Sequence, residues 1–200
     1  MIEFESIAWE NNELLVGIDE AGRGPMAGPC VVCGVVFPQG YLNPEINDSK
    51  KLSERKRQDL VDVIYNDALN VELIVVDVET IDEKNIYQAT KDAMIAIAKK
   101  SIAKVVVTDA MPFQLSEKDV QSVVKADQKS ISVAAASIIA KTTRDQLMVE
   151  YDRKYPAYGF AKHKGYGTKQ HKEAIIKFGR CPIHRTSFRF KDEHQISLDI

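Results

Sequence analysis

The sequence has few cysteines and no long hydrophobic run. Three cysteines in 200 residues do not provide a disulfide framework, and no segment approaches the roughly 18 consecutive apolar residues that a membrane-spanning helix requires. The first residues, MIEFESIAWENNE, are acidic and lack the apolar core of a secretory signal. These absences argue against a secreted or membrane protein, and they predict a reducing, cytoplasmic setting.

Nucleotide-binding glycine motifs are also missing. The turn Gly22-Arg23-Gly24-Pro25 is rich in glycine, but the chain contains neither the GxxxxGK[ST] motif of a P-loop nor the GxGxxG dinucleotide-binding motif. Repeats and low-complexity linkers are absent as well. We expect one domain over residues 1–200, with a catalytic core at about 14–153, a basic helical lobe at about 154–190 and a tail at 191–200.

Charge is distributed unevenly along the chain. The net charge is −2, from 27 basic and 29 acidic side chains. Between Lys141 and Lys191 there are 13 basic side chains against 4 acidic ones, whereas the rest of the chain has 14 against 25. A basic C-terminal quarter on an acidic body indicates a polyanionic partner such as nucleic acid. The alternative is a solvated helical face.

Apolar runs and helical stripes in alternation predict a mixed α/β fold. Strands are predicted at residues 14–19, 30–37, 71–78, 105–109 and 120–125, and helices at about 53–65, 86–100, 132–151 and 169–178. Two strands followed by alternating helices and strands favour a mixed sheet flanked by helices. Because the basic quarter is mostly helix and loop, we expect it to form a small C-terminal helical lobe against the sheet.

Four carboxylates lie at predicted strand ends or in the turns that follow, namely Asp19, Glu20, Asp109 and Asp127. If these ends meet on one side of the sheet, repulsion raises the pKa values of the clustered carboxylates unless a cation lies among them. Oxygen ligands suit Mg²⁺ or Mn²⁺, and two such ions about 4 Å apart suit in-line phosphoryl displacement. A capping role is the alternative for each aspartate.

Six motifs occur in order along most of the chain. They are GIDEAGRGPMAGP from Gly17, DSKKLSERKR from Asp48, VVVTDA with Asp109, KADQKSISVAAASIIAKTTRD from Lys125, HKGYGTKQH from His163 and HRTSF from His184. Together they resemble ribonuclease HII, the type 2 ribonuclease H family. The related ribonuclease HIII has an additional N-terminal substrate-binding domain that we do not expect in this protein. The presence of Tyr166 in the glycine-containing loop of this chain also favours ribonuclease HII.

This resemblance implies a ribonuclease H-like fold and an endoribonuclease that hydrolyses RNA in RNA–DNA duplexes. It also implies incision on the 5′ side of single ribonucleotides embedded in duplex DNA, by two-metal-ion hydrolysis that leaves 3′-hydroxyl and 5′-phosphate ends. The family pattern makes four residues the catalytic ligands of Mn²⁺ or Mg²⁺, namely Asp19, Glu20, Asp109 and Asp127.

The resemblance also implies contacts with the substrate. Gly22, Arg23 and Gly24 would contact the 2′-hydroxyl and the nearby backbone, and Tyr166 would stack on the sugar just 3′ of the ribonucleotide. The 2′-hydroxyl is the group that distinguishes RNA from DNA. A ring packed on a deoxyribose would reject a 2′-hydroxyl on that sugar, so the two contacts together would read an RNA-to-DNA junction.

Basic side chains are candidates for phosphate contacts, which give salt-dependent affinity without reading the base sequence. The candidates are Lys50, Lys51, Lys141, Arg144, Lys164 and Lys169. Lys164 and Lys169 lie nearest to Tyr166 in the sequence. The alternative for each of these residues is an ordinary surface charge.

Histidines and cysteines carry no metal motif. His163, His171 and His184 lack a metal-ligand spacing, so we expect capping or phosphate contact for them. Cys30 and Cys33 have CxxC spacing, but residues i and i+3 of a strand point to opposite faces. We therefore expect both cysteines in the core.

Two other functions fit parts of the pattern. A non-catalytic nucleic-acid-binding module would keep the basic lobe, but its four intact carboxylates would repel DNA unless metal ions occupied them. A sugar kinase on a related fold would need a phosphate-cradling loop and a much longer chain. Neither is present in the sequence.

The tail from Gln195 to Ile200 has aliphatic side chains at alternate positions after a glutamine. It resembles the bacterial sliding-clamp-binding peptide QLxLxL, which would bind as an extended segment with alternate side chains in apolar pockets. A frayed tail or an edge strand is the alternative. We expect a monomer that acts on RNA–DNA hybrid and ribonucleotide-containing duplex DNA, with no membrane partner and with a sliding clamp as a candidate partner.

Overall fold

The computed structural model describes residues 1–191 and residue 193, and a mixed five-stranded sheet forms its centre. The strands are β1 (Leu15–Ala21), β2 (Cys30–Val36), β3 (Asn70–Val76), β4 (Val105–Asp109) and β5 (Asp119–Val123), in the order β3-β2-β1-β4-β5. β2 is antiparallel to both β1 and β3, whereas β4 is parallel to both β1 and β5. The carboxyl ends of β1 and β4 therefore lie side by side, and the predicted mixed sheet is confirmed.

Helices cover the sheet. They are α1 (Glu3–Glu10), α2 (Glu54–Asp67), α3 (Val78–Lys84), α4 (Ile86–Lys100), α5 (Ile131–Lys154), α6 (Phe160–His163) and α7 (Lys169–Phe178). Ser53, Ser130 and Thr168 begin α2, α5 and α7 as side-chain caps, each accepting from the backbone N–H three residues later. No helix in the described part of the chain is long and apolar enough to cross a membrane.

The sequence pattern predicts α2, α4, α5 and α7 but neither α1 nor the short α6. It also extends the third strand to Val78, which instead begins α3 in the structure. Asp77 causes this difference, because its side chain accepts a hydrogen bond from the backbone N–H of Thr80 and so caps a helix.

Small residues allow α5 to pack directly on β1. A Cβ on Gly17 would lie only 2.2 Å from the backbone nitrogen of Val133, so the contact requires glycine. Ala134, Ala135 and Ala136 continue this close packing and are fully buried. α2 packs on the same side of the sheet as α5, and α4 covers the opposite side. The position of α5 brings its side chains to the carboxyl end of β1.

Cys30 and Cys33 lie on opposite faces of β2, as the strand period predicts. Cys30 packs in the core beneath α4, and Cys33 packs in the core beneath α5. Both thiols are free and fully buried, and burial raises the pKa of the Cys30 thiol to about 11. The CxxC spacing therefore reflects core packing.

The C-terminal lobe packs on α5 and on the β1–β2 turn. Tyr158, Phe160 and Ile175 of the lobe share a core with Met148 of α5 and Met26 of the turn. The structure thus differs from the expected packing against the sheet, because the apolar partners of α6 and α7 come from a helix and a turn. This arrangement places the lobe beside the carboxyl end of β1.

Candidate active site

A cavity of about 460 Å³ opens at the carboxyl ends of β1 and β4. Three of the four predicted carboxylates line it, namely Asp19 and Glu20 of β1 and Asp109 at the end of β4. Ile18 pairs with Thr108, so Asp19 and Asp109 follow at the same level of adjacent parallel strands. Residues at the same level of neighbouring strands point to the same face of a sheet. The strand register therefore brings the two aspartates together.

Asp127 lies close to this group but is not among the residues that line the cavity. It is buried in a 3₁₀ turn (Ala126–Gln128) that follows β5. The backbone N–H of Ala126 donates to Asp109 Oδ1 at 3.1 Å, which ties the turn to the end of β4. Burial raises the pKa of Asp127, and the charges of Asp48 and Asp109 raise it further.

The carboxylates of the cavity are desolvated and repel one another. Burial raises the pKa of Asp19 well above its ordinary value, and the charges of Glu20 and Asp109 add to the increase. Burial also raises the pKa of Glu20. The guanidinium of Arg23 lies 3.5 Å from Glu20 Oε1 and lowers this pKa, whereas the charge of Asp109 raises it further. Glu20 Oε2 is buried without a hydrogen-bond partner.

These donors fit a divalent cation. Crowded carboxylates and the unpaired Glu20 oxygen are stabilised by a positive charge among them. Within residues 1–191 and 193, no three His, Cys, Asp or Glu side chains form a group that holds a metal ion by themselves. Mg²⁺ is commonly bound by one or two carboxylates and completes its coordination with water and substrate phosphate. The site therefore suits an ion that the protein and the substrate hold jointly.

Two buried serines outside the predicted site residues line the cavity together with Asp19. The side chain of Ser137, on α5, hydrogen-bonds the Asp19 carboxylate, which lowers the pKa of Asp19. The hydroxyls of Ser137 and Ser49 lie 3.0 Å apart, and both residues line the cavity. Glu20 N–H also donates to Asp19 Oδ1 at 2.7 Å. The only sequence signal for Ser137 is a polar residue in the alanine-rich segment that faces β1.

The glycine turn lies beside the carboxylates, and Gly22, Arg23 and Gly24 all line the cavity. Arg185 is fully buried and donates to the carbonyl oxygens of Gly22 and Arg23 at 2.6 and 3.0 Å. Gly22 has a φ of 101°, and a Cβ at this position would lie 2.0 Å from Arg144 Nε. The turn therefore requires glycine at position 22 and is fixed by buried cations beneath it.

Arg144 lines the cavity, where its guanidinium binds backbone carbonyl oxygens, and its role as a phosphate contact stays a prediction. It is only 1% exposed. Its guanidinium donates to the carbonyl oxygens of Pro29, Ala27 and Lys164 at 2.9, 3.1 and 3.0 Å. Arg144 thus joins the β1–β2 turn to the loop that carries Tyr166.

Tyr166 lines the cavity and is 48% exposed, and Lys50 lines the cavity as well. A Cβ on Gly24 would lie 3.7 Å from Tyr166 Cε1, so the ring borders the glycine turn. Lys164 and Lys169 are not in the cavity lining. Lys164 Nζ donates to the carbonyl oxygen of Ala161, and the Lys169 side chain extends into solvent.

Lys141 and Arg57 add positive charge to the cavity. Both side chains form ion pairs with buried Asp145. Lys141 Nζ lies 2.5 Å from Asp145 Oδ1, and Arg57 Nη2 lies 3.7 Å from Asp145 Oδ2. Arg57 Nη1 also donates to the carbonyl oxygens of Ser49 and Leu52, which flank Lys50 and Lys51. Arg57 lies within the motif DSKKLSERKR but is not among the predicted site residues.

The three histidines of the lobe are buried and bind nearby backbone groups, as capping predicts. His163 Nδ1 accepts from Gly165 N–H at 3.2 Å, and His184 Nδ1 accepts from Cys181 N–H at 2.9 Å. The rings of His163 and His171 are stacked with centroids 4.5 Å apart. His171 Nε2 lies 3.0 Å from His184 Nε2. None of the three lines the cavity, so they influence the site only through the residues that they bind.

The family model for ribonuclease HII matches residues 16–191. The chain belongs to the ribonuclease HII family. The ribonuclease HII of Acetivibrio thermocellus is 50% identical over 191 residues, which cover 94% of this chain and 75% of that protein. Members cleave RNA in RNA–DNA hybrids and depend on metal ions, so this ribonuclease HII is a metal-dependent nuclease, as its motifs predict.

Solved structures support the same assignment. The ribonuclease H2 of Pyrococcus horikoshii OT3 has a TM-score of 0.77 at 25% identity, covering 92% of this chain and 97% of that one. A chain in the PCNA:RNase HII complex of Archaeoglobus fulgidus has a TM-score of 0.73 at 28% identity, covering 86% and 92%. The ribonuclease H-like fold expected from the motifs is therefore confirmed.

Proposed function

We propose that this ribonuclease HII incises duplex DNA on the 5′ side of a single embedded ribonucleotide, in addition to cleaving RNA–DNA hybrids. The products would carry 3′-hydroxyl and 5′-phosphate ends. The observation that carries the proposal is the composition of one cavity, in which Asp19, Glu20 and Asp109 lie beside the glycine turn and the exposed ring of Tyr166. The carboxylates suited to hydrolysis thus lie in the same cavity as the glycine turn and the Tyr166 ring, which are suited to recognising sugars.

The carboxylates would hold two divalent cations, Mg²⁺ or Mn²⁺. The ligands would be Asp19, Glu20, Asp109 and Asp127. Bound cations of this kind supply a nucleophile from water and stabilise the leaving oxygen. The protein orients its carboxylates in advance, through Ser137 at Asp19 and through the Ala126 N–H at Asp109.

Sugar recognition would come from the two sides of the cavity. Gly24 has no side chain and permits close approach of a nucleic-acid backbone, and Gly22 and Arg23 would contact the 2′-hydroxyl with it. The Tyr166 ring would pack on the next sugar and reject a 2′-hydroxyl there. Since the 2′-hydroxyl is what distinguishes RNA from DNA, the pair would recognise the junction between a ribonucleotide and the following deoxyribonucleotide.

Phosphate contacts would come from cations in and beyond the cavity. Lys50 and Lys141 line the cavity and would contact the scissile strand. Arg57 also lines it, but is held by Asp145 and by backbone carbonyl oxygens. Lys164 and Lys169, outside the cavity lining, would contact phosphates farther along the duplex. Such contacts position a duplex without reading its bases, which suits an enzyme that acts wherever a ribonucleotide occurs.

A sliding clamp is the proposed protein partner. The archaeal ribonuclease HII of the A. fulgidus structure is in a complex with PCNA. The tail from Gln195 to Ile200, on which the clamp prediction rests, lies outside the described residues, so its role stays a prediction. The cytoplasmic setting and the monomeric state stay predictions as well.

The experiment is cleavage of a labelled duplex that carries one ribonucleotide, with Mg²⁺, with Mn²⁺ and with EDTA. We expect metal-dependent incision 5′ of the ribonucleotide, with ends that a DNA ligase or polymerase assay identifies as 3′-hydroxyl and 5′-phosphate. An all-DNA duplex serves as the negative control and an RNA–DNA hybrid as the positive control. Cleavage of the hybrid without incision at the single ribonucleotide would contradict the proposal.

A further inference from the structure

We propose that His171 is a positioning residue for Tyr166, acting through a relay of buried imidazoles that runs from Cys181 through His184 and His171 to the Tyr166 carbonyl. The inference rests on the proposed reading of the deoxyribose by Tyr166. It gives a function to two buried histidines that lie outside the cavity lining and that neither the catalytic carboxylates nor the phosphate contacts explain.

The contacts at the two ends of the relay together fix its direction. The backbone N–H of Cys181 donates to His184 Nδ1 at 2.9 Å, and the Cys181 carbonyl oxygen and Sγ each lie 3.1 Å from the same nitrogen, so the Cys181 end alone admits either tautomer of His184. With Nδ1 as the acceptor, the proton of His184 is on Nε2, which lies 3.0 Å from His171 Nε2 and donates to it. His171 Nε2 is then bare, and its Nδ1–H donates to the Tyr166 carbonyl oxygen at 2.9 Å.

The Tyr166 end of the relay selects this assignment. A carbonyl oxygen only accepts hydrogen bonds, so the contact with Tyr166 by itself requires a proton on His171 Nδ1. Both rings must also be neutral, because protonation of either one would set two N–H groups against each other. Burial lowers the pKa of both His171 and His184 to about 4, in agreement with neutral rings.

The relay ends in a loop that is otherwise held by its backbone, while its aromatic ring is left exposed. Tyr166 N–H donates to the carbonyl oxygen of His163 at 2.9 Å, and the Gly165 carbonyl oxygen accepts from Met26 N–H at 2.9 Å. Phe160 packs edge-on against His171 with ring centroids 5.4 Å apart, which closes the relay from solvent. The main chain of Tyr166 is therefore fixed, and the ring projects into the cavity from that fixed point.

The same short segment also holds the glycine turn. His184 begins the relay to Tyr166, and the next residue, Arg185, donates to the carbonyl oxygens of Gly22 and Arg23. The glycine turn and Tyr166, which are proposed to recognise the sugars, are thus connected to the adjacent residues Arg185 and His184. The separation between the turn and the ring is thereby set by residues 184 and 185, which suits the recognition of two consecutive sugars.

The test compares two amide substitutions at His171. In His171→Asn the amide nitrogen replaces Nδ1 and keeps the donation to Tyr166. In His171→Gln the amide oxygen replaces Nε2 and still accepts from His184 Nε2–H, and the Tyr166 carbonyl oxygen keeps only the Thr168 N–H, 2.8 Å away. Each variant loses one buried hydrogen bond, so similar losses of Tm are expected. The measured quantity is kcat/KM on a single-ribonucleotide duplex divided by kcat/KM on a long RNA–DNA hybrid.

We expect His171→Gln to lower this ratio by about 2- to 10-fold, the range for one neutral hydrogen bond, and His171→Asn to retain the wild-type ratio. Equal ratios in the two variants would show a merely structural role and overturn the inference. Tyr166→Ala is measured in parallel. If it lowers the ratio while His171→Gln does not, the inference fails and the proposed function stands; if it leaves the ratio unchanged, both fail.

A second measurement uses the unmodified enzyme and so does not depend on the folding of any variant. Long-range ¹H–¹⁵N NMR distinguishes a protonated from a bare ring nitrogen. The relay requires the Nδ1–H form at His171 and the Nε2–H form at His184, at neutral pH. Finding the Nε2–H form at His171 would overturn the inference.

Discussion

The Asp109 carboxylate accepts a hydrogen bond from the backbone N–H of Ala126 at 3.1 Å. This bond joins the carboxyl end of β4 to the 3₁₀ turn that carries Asp127. On the neighbouring strand, Asp19 is bound in a similar way by Ser137 of α5. The acidic groups are thus oriented by the fold itself, and an arriving cation meets a site whose reorganisation cost is already small.

Replacement of Tyr166 by alanine should impair incision at a single ribonucleotide more than cleavage of a long hybrid. The ring is proposed to pack on a deoxyribose, which an all-RNA strand lacks. A loss of about 1–3 kcal/mol is expected by analogy with base–aromatic stacking, measured as kcat/KM on both substrates. Tyr166→Phe keeps the ring and serves as the control. Equal losses on both substrates would mean that the ring supports the loop only.

The two outer glycines of the Gly22-Arg23-Gly24 turn should respond differently to alanine. Gly22→Ala forces a Cβ to within 2.0 Å of Arg144 Nε at a φ of 101°, so we expect a marked loss of Tm. Gly24→Ala meets only Tyr166 Cε1 at 3.7 Å, an ordinary contact, so the fold should persist. If the backbone at position 24 approaches the ribose, Gly24→Ala should nonetheless raise KM. A stable Gly22→Ala protein would contradict the account of the turn.

Stability should decrease as the pH falls from about 6.5 to about 4. Burial lowers the pKa of His171 and His184 to about 4 in the folded protein, and the charge of Arg180 acts in the same direction on both. An unfolded histidine has a pKa of about 6.5, so in this window the unfolded chain binds protons that the folded chain excludes.

Urea unfolding at several pH values measures this effect as the free energy of unfolding. His171→Gln removes one of the two titrating groups, and its pH dependence between about 4 and 6.5 should therefore be weaker than that of the wild type. The carboxylates titrate in both proteins, so the comparison cancels their contribution. Identical pH dependence in the two proteins would contradict the assignment of neutral, buried rings.

The main features of the sheet and of its acidic site follow from the sequence because they depend on local patterns. Strand periodicity and valine-rich runs locate β1 and β4, and a carboxylate at the end of a strand lies at the edge of the sheet. The relation of Asp19 to Asp109 then follows once β1 and β4 are parallel neighbours. The glycine turn is also visible locally, since position 22 needs a positive φ.

Residues whose role depends on distant partners are not predictable in this way. Arg144 is basic and lies in a basic segment, yet its donors bind carbonyl oxygens at positions 27, 29 and 164. Burial of Arg144 depends on the packing of three segments that are far apart in sequence. The sequence likewise gives no sign that Lys164, with a φ of 51°, ends α6 and that its amine donates to the Ala161 carbonyl oxygen.

The most direct test of the central claim is single-turnover cleavage of a single-ribonucleotide duplex by Asp19→Asn at saturating Mg²⁺. Asparagine retains an oxygen for Ser137 and for the Glu20 N–H while removing one charge from the repelling cluster, so the metal-free variant should be at least as stable as the wild type. We predict a rate lower by at least about 10²- to 10³-fold, the range for loss of one oriented electrostatic group, with duplex binding retained. A folded Asp19→Asn protein that cleaves at a near wild-type rate would contradict the account.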